Sequence, residues 1–275
     1  MNIRKILDAT IEDFYKSNIN IDGTGNNLGQ FRYLEIMKDS YSETINDCLG
    51  VLPGDNFNIC ELGSFLGIVA KSLKSIGHNV IACDIPYFFE REEIKNHFKR
   101  SSINSLAFNL RDNKIPINSS SQDMVIACEI IEHLNFNPLP IIKEINRILK
   151  IGGYFYLATP NANSLLKKII YLFFGKQPSF KISQLYQQLD PSQNMIVGLH
   201  WREYSLKEVK DMILPFGFEI VFVRLIGNVG VNHGGFLKNY LKNFLFNLPG
   251  CKPNQIIMFR KIYDSDINLH INKDS

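Results

Sequence analysis

Apolar positions along this chain switch between two spacings. Short, continuously apolar runs alternate with stretches whose apolar residues return every three or four positions. The first pattern fits strands covered on both faces, and the second fits helices with one buried stripe. Five runs stand in order: 58–62, 79–84, 103–109, 123–128 and 154–159. Helical spacing between them predicts helices over 68–76, 90–99 and 138–149; Leu139, Ile142, Ile145, Ile148 and Leu149 form the stripe of the last. Residues 150–153, ending in two glycines, read as the turn that caps it. Farther on, 206–215 and 236–248 read as helices, with 218–225 and 255–262 as strands. This alternation predicts an α/β fold: a doubly wound, mostly parallel seven-stranded sheet with helices on both faces. A ligand then belongs at the carboxyl ends of the strands.

The ends of the chain depart from that rhythm. Residues 1–20 and 30–48 have helical spacing, with a loop between them that holds Gly23, Gly25 and Gly29. The segment 1–50 is expected either to lie as a helical lid over the mouth of the ligand site or to act as scaffold without touching ligand. Residues 51–263 form the α/β domain, interrupted by an insert over 161–199. The tail 264–275 is expected to be disordered.

Composition narrows the class. Of 275 residues, 45% are apolar, enough for one sizeable core. A net charge of +3 with interspersed signs implies no nucleic-acid field. The five cysteines are scattered, and Cys60, Cys83 and Cys128 fall inside apolar strands, which fits reduced, buried thiols rather than disulfides or a metal set. The first residues lead into Asp8, Glu12 and Asp13 rather than an apolar stretch, so no signal peptide is expected. No apolar run reaches the roughly 18 residues of a membrane span. A cytoplasmic enzyme is the expectation.

The chemistry concentrates at predicted strand ends. Glu61-Leu62-Gly63-Ser64-Phe65-Leu66-Gly67 joins an apolar strand to a helix through a glycine turn, where backbone N–H groups come close to a ligand. The next strand ends in Asp84, about 20 residues on, where ribose hydroxyls are gripped in this layout. Asn109 and the pair Cys128-Glu129 fall at two further strand ends.

These stretches, together with 109–123, 124–134 and 149–161, resemble the class I S-adenosyl-L-methionine (SAM)-dependent methyltransferases, in the small-molecule and sugar-type group. The resemblance covers roughly residues 57–161. It implies SAM as cofactor and roles residue by residue. Glu61 orients the amino acid moiety, and Gly63, Ser64, Phe65 and Gly67 form the turn beneath the methionine portion. Asp84, with Ile85 behind it, takes the ribose hydroxyls. Asn109, where the family usually has Asp, meets the adenine amino group, with the Leu110 N–H near a ring nitrogen. Cys128 and Glu129 line the methionine side. One departure stands out: the family usually has glycine where this chain has Phe65. The turn also lacks the G-x-G-x-x-G spacing that admits a pyrophosphate, which disfavours a nicotinamide-dependent oxidoreductase.

The resemblance further implies methyl transfer to a small-molecule acceptor, a hydroxyl of a sugar or of a lipid-linked or surface-polysaccharide precursor. Transfer to nitrogen or carbon of a small metabolite, or a non-catalytic SAM-fold binding protein, stays open. If the acceptor is a hydroxyl, histidine is the common general base. His133 and His200 are the candidates, each with a plain structural alternative. Trp201, Arg202, Tyr204 and, in a glycine-rich loop, His233 are candidates for holding substrate. No metal is expected. Apolar stretches 165–174 and 236–246 with interspersed Lys are either core, a cap over the acceptor, or a peripheral membrane contact.

Overall fold

The computed structural model describes residues 2–17, 19, 28–175, 199–227, 244–246, 248 and 250–267. Seven strands form one open sheet: β1 (Asn58–Leu62), β2 (Asn79–Asp84), β3 (Asn104–Ala107), β4 (Gln122–Cys128), β5 (Leu149–Pro160), β6 (Phe218–Ile226) and β7 (Asn254–Lys261). Their order is β3-β2-β1-β4-β5-β7-β6. β1 to β5 run parallel, and β7 enters antiparallel between β5 and β6. The order reverses direction at β1 and β4, so their carboxyl ends open the crevice where such folds bind ligands.

The apolar runs are continuous because each strand feeds two cores. In β4, Met124 and Ile126 join one cluster while Val125 and Ala127 join the other; in β7, Ile256 and Met258 oppose Ile257 and Phe259 in the same way. Helices α1 (Ile3–Lys16), α2 (Leu28–Val51), α3 (Ile68–Ser75), α4 (Pro86–Phe89) and α5 (Glu92–Arg100) contribute to the first core through Leu7, Leu34, Leu73, Phe88 and Phe98. Helices α6 (Leu139–Ile148) and α8 (Leu206–Ile213) cover the other face through Ile142, Ile145, Val209 and Ile213. Helix α7 (Leu165–Phe174) follows β5.

Two boundaries differ from the sequence reading. Residues 150–153 are not a helix cap: Leu149 is already extended and the stretch belongs to β5. The pairing with β4 shifts register between Gln122 and Met124. At Gly153 an added Cβ would lie 2.9 Å from the Lys150 carbonyl oxygen and 3.1 Å from that of Asp123. The glycine therefore serves a close backbone approach at a strand irregularity. Residues 264–267, expected in the tail, dock on α6: the Ser265 N–H donates to Asn146 Oδ1 (3.0 Å), and Lys143 Nζ donates to the Ile267 carbonyl (2.5 Å).

Helices α1 and α2 pack into the sheet core. Ile3, Leu7, Ile11 and Phe14 of α1 are buried with α3. Helix α2 crosses toward β4, β5 and β6: Thr44 Oγ1 lies 3.7 Å from Cys128 Sγ, Tyr156 donates to Asp47 (3.1 Å), and Arg224 pairs with Glu43 and Asp47. Most of the insert, residues 228–235 of the predicted loop with His233, and most of the predicted 236–248 helix lie outside the described residues.

Candidate functional site

The turn after β1 is built from backbone constraints. Gly63 (φ 68°) and Gly67 (φ 69°) both sit in left-handed backbone. A Cβ at Gly63 would reach 1.9 Å from Ile130 Cδ1, and one at Gly67 would reach 2.4 Å from the Phe98 ring, so neither place holds a side chain. Ser64 ties the turn to β2: its N–H donates to the Cys83 carbonyl (3.0 Å), its hydroxyl to the Glu61 carbonyl (2.8 Å), and it accepts the Cys83 N–H (3.1 Å). Phe65 also has positive φ (48°), a costly state for a non-glycine residue. Its N–H donates to Asp84 Oδ2 (2.7 Å), and its ring meets Tyr33 and Phe88 edge-on, at 6.2 and 5.3 Å between centroids. That network holds the turn where the family's second glycine is missing.

The acids expected at strand ends line up along one rim. Glu61 Oε2 accepts the Ala70 N–H in α3 (3.0 Å), and burial pushes its carboxyl up to about 8. Asp84 accepts the N–H groups of Phe65 and Ile85, both at 2.7 Å, and burial pushes it up to about 6 in spite of those bonds. The charge of Asp84 also raises Glu61. Glu129, at φ 54°, is pushed up to about 7 by burial, with its contact to Glu132 and then the charge of Lys167 pulling it down. None of the three forms a direct ion pair with Lys or Arg among the described residues. Carboxylates withdrawn from water without a direct ion-pair partner favour a positively charged ligand.

Asn109 and Cys128 play quieter parts. Asn109 is exposed one residue beyond Phe108, whose N–H pairs with the Asp84 carbonyl (3.0 Å); its Oδ1 accepts the Arg111 N–H (2.9 Å) and starts the helical turn at Leu110. Cys128 is held on Thr44, and burial pushes its thiol far up, so it is not a nucleophile. Tyr41 of α2 is partly buried against the same core as Cys128.

A second group stands where β4 ends. Glu132 is fully buried; Oε2 accepts the Thr159 hydroxyl (2.9 Å), and Oε1 has no hydrogen-bond partner among the described residues. The His133 Nδ1–H donates to the Leu199 carbonyl (2.8 Å), and burial holds its pKa below the usual histidine value. His200 Nδ1 faces Glu203 Oε1 at 3.3 Å, and the two imidazoles meet edge-on at 4.9 Å. Glu203 Oε2 pairs with Lys167 (2.5 Å). Burial raises the Glu203 carboxyl, but His200 and Lys167 outweigh it and hold it ionised. The N–H groups of Trp201 and Arg202 both reach the Glu132 carbonyl, at 2.7 and 3.3 Å, which fastens the end of the insert to β4.

The structure brings His133 and His200 together, while Arg202 and Tyr204 take up contacts elsewhere. Trp201 contributes its backbone N–H to that fastening. Arg202 turns outward to Glu208 (2.8 Å) over the Tyr204 ring. Tyr204 is 4% exposed in the core on the α6 side, where its carbonyl accepts from Gln255 (2.7 Å). Sequence reading singled out neither Glu132 as a site residue nor Glu203 and Lys167. Glu203, three residues after His200, was visible as spacing; Thr159 and Lys167 reach the site only through the turn after β5.

A doubly wound sheet with a glycine turn and acid-tipped strands defines an enzyme that binds a nucleoside-bearing cofactor at the sheet's switch point. The family model described as a methyltransferase domain matches residues 60–157, from β1 to β5. Residues 60–157 thus carry a methyltransferase domain of the kind that uses S-adenosyl-L-methionine as cofactor. A comparison with curated protein sequences finds no match. Among solved structures, it resembles magnesium protoporphyrin IX methyltransferase of Synechocystis PCC 6803 with bound SAH (TM-score 0.55, 12% identity, 94% of this chain and 98% of that one). It also resembles phosphoethanolamine N-methyltransferase 2 of Haemonchus contortus in complex with SAM (TM-score 0.57, 12% identity, 91% and 60%). A SAM-dependent methyltransferase from Archaeoglobus fulgidus is similar too (TM-score 0.53, 15% identity, 81% and 94%). Among the described residues no helix is long and apolar enough to cross a membrane.

Proposed function

We propose that this enzyme methylates a hydroxyl of a small-molecule acceptor, a sugar or a lipid-linked or surface-polysaccharide precursor. The observation that carries this is the rim of carboxyls without a direct ion pair to Lys or Arg among the described residues, buried Glu61 and partly buried Asp84 and Glu129, followed beyond the end of β4 by the His133–His200 pair. The first part suits a sulfonium and its α-ammonium; the second suits an oxygen that must lose a proton.

Glu61 would hold the amino end of SAM, Gly63 its methionine backbone and Asp84 its ribose, with Asn109 and Leu110 at the adenine. When bound, SAM supplies a methyl group on a good leaving sulfur. The remaining work falls to the chain's own residues. They align the acceptor oxygen and exclude water, which contributes up to about 7–11 kcal/mol to lowering the barrier. Both imidazoles have Nδ1 engaged with an oxygen, so each presents a lone pair at Nε2 toward the acceptor side. Helix α2, with Tyr33 on Phe65 and Tyr41 against the same core as Cys128, is the lid over the donor.

A lipid-linked acceptor is the form that α7 favours. This helix leaves the site at Lys167 and exposes Leu172 (77%) and Phe173 (73%), as a helix resting on a membrane surface would. Flotation with anionic vesicles at low salt tests it; protein left at the bottom of the gradient removes the lipid-linked reading. The hydroxyl assignment is tested by supplying SAM with a panel of sugars and polyprenyl-linked sugars and following SAH release. His200→Ala should abolish most turnover while leaving SAM affinity unchanged in calorimetry. Equal loss of both makes His200 a structural residue.

A further inference from the structure

We infer that Glu132, His133 and His200 form a divalent-cation site beside the methyl donor, and that the acceptor hydroxyl binds there as a ligand of the ion. The inference rests on the hydroxyl-acceptor reading and deepens it. One ligand atom from each of the three residues lies within 4.8 Å of the others, and Glu132 Oε1 stands 3.9 Å from His133 Nε2. Two imidazoles and one carboxylate on one side of an ion, with the other side open, is a set that Mn²⁺, Fe²⁺, Co²⁺ or Zn²⁺ takes in preference to Mg²⁺ or Ca²⁺.

Two independent features distinguish this cluster from a chance meeting of polar side chains. The first is the buried oxygen. Glu132 is 0% exposed, its Oε2 is satisfied by Thr159, and its Oε1, 3.9 Å from His133 Nε2, has no hydrogen-bond partner among the described residues. A fully buried carboxylate oxygen left bare is costly, and an ion between it and the imidazoles satisfies it. The second is the orientation of both rings. His133 gives its Nδ1–H to the Leu199 carbonyl, and His200 gives its own to the Glu203 carboxylate, itself anchored by Lys167. A metal-binding histidine is held in just this way, by an oxygen on its far nitrogen that fixes the tautomer and raises the basicity of the near one.

The site lies where the chemistry needs it. Glu132 floors the cluster, while the side chains of His133 and His200 are 25% and 30% exposed, so the open side faces solvent. Ile130, two residues before Glu132, packs against Gly63, at the donor turn. Metal–ligand lengths near 2.0–2.2 Å put neighbouring ligand atoms roughly 3 Å apart, so loading closes the cluster by an ångström or so. A cation here lowers the pKa of a hydroxyl that binds it. The hydroxyl proton leaves to solvent, the oxygen forms its bond to the methyl carbon, and the sulfur keeps the electron pair of the broken S–C bond. A neutral methyl ether and a thioether result. An acceptor with two adjacent oxygens, such as a vicinal diol, would occupy both open positions.

The test is a Co²⁺ titration of chelator-treated full-length protein, read by visible absorption, with SAM binding measured by calorimetry on the same sample. One Co²⁺ per chain is expected. Glu203→Gln, which touches the far nitrogen of His200 and Lys167 but supplies no ligand atom, should weaken Co²⁺ by about 10- to 100-fold; Glu132→Gln, which removes a ligand charge, should weaken it more, with SAM affinity unchanged in both. If wild-type protein binds SAM and shows no Co²⁺ absorption, the cation site is overturned and the donor seat stands. If it binds Co²⁺ and no SAM, the cation site is supported and the donor seat falls. Weakening by Glu132→Gln without any effect of Glu203→Gln would overturn the assigned role of Glu203 in orienting His200.

Discussion

The two halves of the rim are made by different means. At the tips of β1 and β2, the acids are held by backbone: Glu61 by the Ala70 N–H, Asp84 by those of Phe65 and Ile85. At the tip of β4, the groups are held by side chains and carbonyls from distant segments: Glu132 by Thr159, His133 by Leu199, His200 by Glu203 and Lys167. The donor half therefore depends on what the local chain can fold into. The acceptor half depends on what the fold brings together. On the proposed reading, a donor common to many enzymes would be served by a locally encoded cradle, and the acceptor by a cluster that can be rebuilt by changing an insert.

The comparison breaks most sharply at the glycines. Gly67→Ala puts a Cβ into left-handed backbone and against the buried Phe98 ring at 2.4 Å. Backbone cost of about 1–2 kcal/mol and overpacking of about 1–3 kcal/mol predict a loss of roughly 2–5 kcal/mol in denaturant unfolding. Gly63→Ala should cost less stability, because it meets the flexible end of Ile130, while still weakening SAM. Equal unfolding midpoints for Gly67→Ala and wild type would contradict the turn geometry.

Asp84→Ala should weaken SAM by about 1.5–3 kcal/mol for each charge-assisted hydrogen bond lost, with the His133–His200 half untouched. Unchanged calorimetric affinity refutes the ribose assignment.

The pH dependence sharpens the contrast next. Asp84 rises from 3.8 to about 6 and Glu61 from 4.5 to about 8, both chiefly through burial. Folded pKa values above unfolded ones mean stability that is present at acid pH and lost as pH rises toward the folded values. The protein without SAM should thus lose thermal stability between about pH 4 and 8, by at most about 1.4 kcal/mol per pH unit for each group. SAM affinity should rise over the same window as the carboxyls ionise. Glu61→Gln should flatten the part from pH 6 to 8; an unaltered slope there would show that Glu61 is not the titrating group.

The smallest effect is expected at Arg202. Its pair with Glu208 is exposed, 62% and 42%, so Arg202→Ala should change stability by no more than about 1 kcal/mol and leave turnover unchanged. A large drop in turnover would return Arg202 to the acceptor site.

What was legible follows from the same division. Periodicity placed all seven strands, because a strand buried on both faces is apolar without interruption, as Met124 to Ala127 show. It missed the start of β5, because the glycines that serve its irregular pairing with β4 look, in one dimension, like a helix cap. It placed Tyr204 with the substrate residues, because neighbourhood to His200 in sequence says nothing about which face of the sheet a residue joins.

The amino-acid order by itself determined the donor turn: strand, glycines, helix and the acid closing the next strand are local and obey backbone rules. Only the folded chain decided the acceptor side. Glu132 and His200 lie far apart along the chain, and no spacing rule links them. They meet because the N–H groups of Trp201 and Arg202 close on the Glu132 carbonyl, a tertiary contact that carries His200 onto His133.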